Sequence, residues 1–434
     1  MKRYETYKDS GIQWWEEIPT HWDLKKAKHI FSLVTENVSD SSLPKIALEN
    51  IESWTGKYIE TNSDFMGEGV EFKKDDILFG KLRPYLAKVY KAEFAGQAVG
   101  DIYVFRGNEE QDPEYLKYLL LSYPFISVVD GSTYGAKMPR ANWDFISHLV
   151  LPCPPKTEQV TIAAFLDHKV GQIDATIAEK EQMLEDLKNY RSAIISEAVT
   201  KGLDKNVEMK DSGIEWLGMI PKHWGLVKLK NKAKVNGRIG FRGYTTADLV
   251  PKGQGAYTIG GKHITNCVID LSNPDFISWD KYYESPEIMV KKGDILMAQR
   301  GSLGKAALVR EDIGDATINP SLVLLNSIAM NEVFLYYYLV SSSCLAYIDL
   351  LNTATAVPMI SQNQIENIFV PIPSGKEQIQ IADYLDRKTK EIDETTIMVS
   401  TQISDLKSYK SALITEAVTG KIDLREWKPK EENV

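Results

Sequence analysis

The residues best suited to chemistry in this chain are cations and amides on loops. One run reads Gly80-Lys81-Leu82-Arg83-Pro84-Tyr85-Leu86-Ala87-Lys88 and follows the apolar run Asp76-Ile77-Leu78-Phe79. The apolar run predicts a strand, and Pro84 fixes a turn after it. A second run, Gln299-Arg300-Gly301-Ser302-Leu303-Gly304-Lys305, follows Gly293-Asp294-Ile295-Leu296 in the same way. Loop cations contact phosphates as charges, and arginine also pairs with guanine through two hydrogen bonds. A further pair of loops, residues 131–143 and 352–363, adds Lys137, Arg140 and Asn142 in one and Thr355 and Gln362 in the other. The candidate DNA contacts are therefore Lys81, Arg83, Tyr85, Lys88, Lys137, Arg140, Asn142, Arg300, Ser302, Lys305, Thr355 and Gln362. Residues 352–363 hold no Lys or Arg, so contacts there would be hydroxyls and amides. Any one of these loops also reads as a solvated turn; their recurrence favours nucleic acid.

Catalytic and metal motifs are weak by comparison. Gly301 to Lys305 has too few intervening residues for a phosphate-cradling loop. Asn319-Pro320-Ser321-Leu322 lacks the second proline and the aromatic of the Asn-Pro-Pro-aromatic motif of adenine methyltransferases, and no glycine-rich cofactor motif precedes it. Asp64, Glu71 and Lys73 could form a nuclease-like acidic pair with lysine, a pattern common by chance. The six histidines give no metal-binding pair, and no metal is expected. His21 and His223 precede Trp22 and Trp224 at one repeated position, which suits a structural role. Cys153, Cys267 and Cys344 lack ligand spacing and are expected as small buried residues in a reducing compartment.

At 434 residues, two or three domains are expected, and 43% hydrophobic with 26% charged residues is ordinary for a globular chain. No run of about 18 apolar residues occurs, and Met1 to Gly11 is polar, so neither a membrane span nor a signal peptide is read and a cytoplasmic protein is expected. The net charge of −9 argues against nucleic acid if taken as a sum, but the distribution of charge matters more.

What must position the loops is a duplicated frame. Residues 158–204 return as residues 377–423, at an offset of about 219. Lys8-Asp9-Ser10-Gly11-Ile12-Gln13-Trp14 returns as Lys210-Asp211-Ser212-Gly213-Ile214-Glu215-Trp216, and Ile18-Pro19-Thr20-His21-Trp22 as Ile220-Pro221-Lys222-His223-Trp224, at an offset of about 202. The later half has thus gained some 17 residues, placed in the Gly-rich stretch 237–261. Residues 158–204 and 377–423 hold no proline and read as long helices. Their apolar seam falls at heptad spacings of three, four and seven: Leu166, Ile173, Ile177, Leu184, Leu187 and Ile194 in one, Leu385, Ile392, Val399, Ile403, Leu406 and Leu413 in the other. Pairing the two copies buries both seams. Polar seam residues such as Lys180, Arg191 and Lys410 are expected to snorkel or to set register. Short β-type runs, with helices at 113–122 and 331–342, make the globular regions α+β. The domains read as 1–155, the first helix 156–205, a second globular domain 206–373, and the second helix with a tail 374–434.

The repeated Lys-Asp-Ser-Gly-Ile-x-Trp and Ile-Pro-x-His-Trp, the Gly80-Lys81-Leu82-Arg83-Pro84-Tyr85 loop, and Glu158-Gln159 and Glu377-Gln378 after Pro-rich exits resemble the specificity subunits of type I restriction-modification systems. So does the helix tail Ile195 to Gly202 with its copy Ile414 to Lys421. The resemblance covers nearly the whole chain. It implies two target-recognition domains held apart by an antiparallel coiled coil with internal pseudo-two-fold symmetry, whose length sets the spacing of the two half-sites. It further implies a non-catalytic subunit that reads a bipartite, asymmetric site in double-stranded DNA. Two modification subunits using S-adenosylmethionine and two motor-restriction subunits using ATP and magnesium would be its partners, with no cofactor on this chain. A coiled-coil scaffold with two protein-binding globular ends is the alternative. A methyltransferase or nuclease in its own right is opposed by the missing motifs.

Overall fold

The computed structural model describes residues 2–38, 42–61, 68–133, 137–238, 243–265, 267–352 and 357–429. Asp64 of the acidic candidates and Thr355 of the loop candidates lie outside the described residues. Two compact units divide the chain, residues 1–181 with 400–434 and residues 182–399. Both borders fall inside long helices, Lys156–Lys201 and Gly375–Val418, so each unit holds a globular domain and one part of each helix.

In the first unit a hairpin of Tyr7–Asp9 and Glu17–Pro19 leads the chain in, with Lys8 opposite Ile18. Asp23–Lys26 then pairs antiparallel with Val150–Cys153, so the start and the exit of the domain are tied together. The central sheet is antiparallel, in the order Phe31–Val34, Ile102–Gly107, Ile77–Gly80, Val89–Lys91. Ile77–Gly80 is buried at every position, which explains its unbroken apolar sequence: both faces are covered. Helix Pro113–Leu121 starts where the Asp112 carboxylate accepts from the Tyr115 amide, and it buries Tyr115, Leu116, Leu119 and Leu120.

The second unit repeats this order. Met209–Asp211 pairs with Met219–Pro221, and Gly225–Lys228 with Phe369–Ile372. Its antiparallel sheet runs Lys234–Gly237, Leu322–Asn326, Ile295–Ala298, Ala306–Leu308. Helix Glu332–Leu339 is capped by Asn331, which accepts from the Phe334 amide.

The accessory sheets differ. The first unit has four strands, Asn37–Val38, Gly69–Phe72, Gly96–Ala98 and Lys45–Ile46. Among the described residues the second has three, Asp275–Ser278, Gly255–Ile259 and Ala316–Ile318, and a separate pair, Ile264–Thr265 with Val268–Ile269. This is the region that carries the insertion read from the sequence.

One anchor recurs where each long helix begins. The Glu158 carboxylate accepts from Trp22 Nε1 (3.0 Å) and Tyr4 Oη (3.0 Å) and meets His21 Nε2 at 2.6 Å. Glu377 accepts from Trp224 Nε1 (3.2 Å) and meets His223 Nε2 at 2.8 Å. The repeated His-Trp and Glu-Gln motifs are thus two sides of one contact. Gln159 and Gln378 complete it, each accepting from a helix-capping residue, Asp112 N (2.8 Å) and Asn331 N (2.9 Å).

The helices pair along the seam within each unit. Leu166, Ile173, Ile177, Ile403 and Leu413 are buried in the first unit, with Leu406 half-buried. Asp174 meets Lys410 at 2.7 Å and Lys180 meets Gln402 at 2.6 Å, so the strands of this pair run antiparallel. In the second unit Ile194, Leu385, Ile392 and Val399 are buried, Leu184 and Leu187 are half-buried, and Arg191 meets Asp393 at 3.2 Å. Lys410 and Arg191, polar at the seam, each face an aspartate across the pair.

Among the described residues no single helix is long and apolar enough to cross a membrane. Cys153 and Cys344 are buried, whereas Cys267 is half-exposed, contrary to the expectation for all three.

Candidate nucleic-acid interface

The two loops singled out in each half come together in space. In the first unit Leu82 and Arg140 form an isolated antiparallel bridge. Arg83 N donates to Pro139 O (2.8 Å) and Ala141 N to Lys81 O (2.7 Å). In the second unit Arg300 and Met359 form the matching bridge. Gly301 N donates to Pro358 O (2.8 Å) and Ile360 N to Gln299 O (3.0 Å). The base of each pair is tied to the residue just before the neighbouring strand, by Lys81 N to Asp101 O (2.9 Å) and Gln299 N to Ser321 O (2.9 Å). Equivalent main-chain bonds thus present unrelated side chains.

The turn itself is bracketed by two left-handed residues. Arg83 has φ 51° and Ala87 φ 45°, bracketing the single 3-10 turn Pro84–Leu86. Gly301, with φ 81°, takes the place of Arg83 in the second unit. The left-handed region is strained for arginine and easy for glycine, so the first unit keeps an arginine there at some cost in backbone energy. Trp54 Nε1 donates to Tyr85 O (3.1 Å) and stacks on Tyr123, which braces the turn from outside.

Arg83, Tyr85, Lys137 and Arg140 are exposed, and Lys81 is half-buried, its ammonium over the Tyr103 ring at 5.3 Å and 3.8 Å from Asp101. Arg140 pairs with Asp101 through Nε and Nη2. Arg300, Ser302 and Lys305 are exposed in the second unit. These eight side chains present donors on the two loop pairs.

Three sequence candidates are placed otherwise. The Lys88 ammonium donates to Leu48 O (2.5 Å) and Ile51 O (2.7 Å), and burial lowers its pKa. It holds the 48–51 segment and is not a free cation for a phosphate. Asn142 caps helix Trp143–His148 by accepting from Asp144 N, and Gln362, at the start of helix Gln362–Glu366, lies across Gly237, where a Cβ would meet its amide. Asn142 thus holds a helix start, and Gln362 packs on Gly237.

Sequence reasoning missed Asp101, Trp54 and Tyr123. An acid reads against a phosphate-contacting loop, although Asp101 directly precedes a strand and so sits at a loop base. Nothing in the sequence marks the Trp54–Tyr123 stack. Among the described residues no group of three His, Cys, Asp or Glu is arranged to hold a metal ion.

The chain is 23% identical over 455 residues to the putative type I restriction enzyme MjaX specificity subunit of Methanocaldococcus jannaschii, across 96% of this chain and 98% of that one. It is 24% identical over 373 residues to the EcoBI specificity subunit of Escherichia coli, across 82% of this chain and 75% of that one. Its fold is shared with a chain from a structure on complex assembly and conformational transition of the type I R-M system, at TM-score 0.74 and 17% identity over 93% of this chain and 99% of that one. The HsdS subunit from Thermoanaerobacter tengcongensis also aligns, at TM-score 0.53 and 18% identity over 93% and 98% of the two chains. A family model described as the type I restriction modification DNA specificity domain matches residues 23–188 and 266–400. With most of its length inside that match, the chain belongs to the type I restriction-modification DNA specificity family.

Proposed function

We propose that the chain is the DNA specificity subunit of a type I restriction-modification system, and that each globular domain reads one half of a bipartite, asymmetric site in double-stranded DNA. The target-recognition domains are residues 1–155 and 206–373. The observation that carries this reading is the loop pair: the same main-chain bridge occurs in both units with different side chains on it. A repeated scaffold with unlike side chains suits two readers of unlike sequences. Phosphate contacts from Arg83, Lys137, Arg300 and Lys305 would fix the register, and base contacts would select the sequence.

The chemistry belongs to partners in this reading. Two modification subunits would dock on the long helices and methylate adenine with S-adenosylmethionine, and two motor-restriction subunits would use ATP and magnesium. The chain has no catalytic role and carries no cofactor of its own. An acidic total of −9 suits a subunit whose DNA affinity is completed by its partners.

Domain exchange tests the proposal. Residues 22–151 are replaced by those of a relative, and methylome sequencing is done in cells that also express the modification subunit. One half-site changes and the other is kept. A change in both half-sites, or in neither, rejects one reader per domain.

A further inference from the structure

Resting on the DNA-specificity reading above, we propose that Arg140 is a base-reading residue of the first domain, held by Asp101 so that its outer edge pairs with a guanine in the major groove.

The argument is one of hydrogen-bond inventory. A guanidinium carries five N–H donors in a plane. Arg140 Nε donates to Asp101 Oδ1 at 3.1 Å and Nη2 to Oδ2 at 3.0 Å. That side-on pair leaves both Nη1 hydrogens and one on Nη2. One from each nitrogen runs parallel along the end of the group, the geometry that meets O6 and N7 of guanine. The Arg140 side chain is 52% exposed, and among the described residues its hydrogen bonds use Nε and Nη2 and leave Nη1 unused.

Position is fixed twice. The Arg140 main chain is bridged to Leu82, and its side chain is locked by Asp101, whose own carbonyl accepts from Lys81 N. Asp101 also faces the Lys81 ammonium at 3.8 Å, so two cations surround one carboxylate and the cluster stays net positive toward DNA. A planar donor fork held in place before contact loses little freedom on binding.

Arg425 forms the same side-on pair with Asp423, but it follows the second long helix and is not on the bridged loops. Arg310 uses Nη1 and Nη2 on Asp386, which occupies the end-on edge. Arg106 holds the buried Asp76 away from the loop pair. Arg83 makes no side-chain hydrogen bond among the described residues, which suits a phosphate contact. In the second unit Met359 stands opposite Arg300 where Arg140 stands opposite Leu82, and Ser321 takes the place of Asp101 at the loop base. Guanine reading by this device belongs to the first domain's half-site.

The test uses the full chain with its modification subunits on duplexes of its mapped site. Each guanine is replaced in turn by 7-deazaguanine, which removes the N7 acceptor and keeps base pairing. One guanine in the first domain's half-site becomes sensitive, with affinity falling about ten-fold. The Arg140→Ala chain is indifferent to 7-deazaguanine there and accepts other bases at that position, while its preferences elsewhere persist. Asp101→Asn relaxes the same position alone. The proposal is overturned if no guanine of that half-site is sensitive, or if Arg140→Ala weakens all sequences equally, as a phosphate contact would. If the unaltered chain with its modification subunits shows no sequence preference at all, the underlying DNA-specificity reading fails as well.

Discussion

The two loop pairs share a skeleton and differ in charge. The first presents Lys81 and Arg140 against Asp101, with Arg83 and Lys137 on the same loops; the second presents Arg300, Ser302 and Lys305, with Ser321 at the loop base. The helix pairs show the same contrast. Asp174 and Lys410 are nearly enclosed, with 14% and 9% of their side chains exposed, and Lys57 from the globular domain adds a second cation at 2.8 Å. Arg191 and Asp393 fill the equivalent positions at 26% and 57% exposure. The first unit relies on buried and clustered charge where the second uses solvated or neutral groups. Equivalent positions can therefore carry different energies, and each prediction below tests one such equivalence.

The largest effects should fall on the shared anchor. Trp22 and Trp224 are both fully enclosed, so Trp22→Ala and Trp224→Ala should each destabilise by about 3–5 kcal/mol in denaturant unfolding. Unequal losses would break the equivalence of the two anchors. Next comes the ion pair. Asp174→Ala leaves the buried Lys410 with no carboxylate and should destabilise by about 3 kcal/mol. Asp393→Ala should cost less than about 1 kcal/mol, because its pair is solvated. A reversed order would show that burial does not govern these pairs.

A pH series sharpens the anchor comparison. Burial acts to raise the Glu377 carboxyl, but bonds from His223, Ser374 and Trp224 outweigh it and hold the pKa at about 2. A pKa depressed on folding contributes stability that is full above the unfolded value of about 4.3. That contribution is lost as pH falls toward 2, and Glu377→Gln should flatten the decline in acid unfolding curves. The smallest effect is on salt dependence: Arg83→Ala and Arg300→Ala should each lower the slope of log affinity against log salt by about one. An unchanged slope would remove that arginine from the interface.

Most of the frame was legible in the sequence, for physical reasons. The heptad seam is written in spacing, and Leu166, Ile173, Leu385 and Leu413 are buried as that spacing demands. The His-Trp and Glu-Gln motifs were visible as repeats, but their mutual contact spans 136 residues in one unit and 153 in the other, and no local pattern encodes it. The loop candidates were found by their cations, a rule that also took in Lys88, whose ammonium faces carbonyls inward. The same rule passed over Asp101, because an acid reads as hostile to phosphate until its two cationic neighbours are seen.

The bridge between the loops is made by main-chain atoms. Arg83 N to Pro139 O and Ala141 N to Lys81 O survive most changes of side chain, and so do their counterparts Gly301 N to Pro358 O and Ile360 N to Gln299 O. A lineage can therefore rewrite the letters on these loops without passing through an unfolded ancestor, and new targets become reachable one mutation at a time.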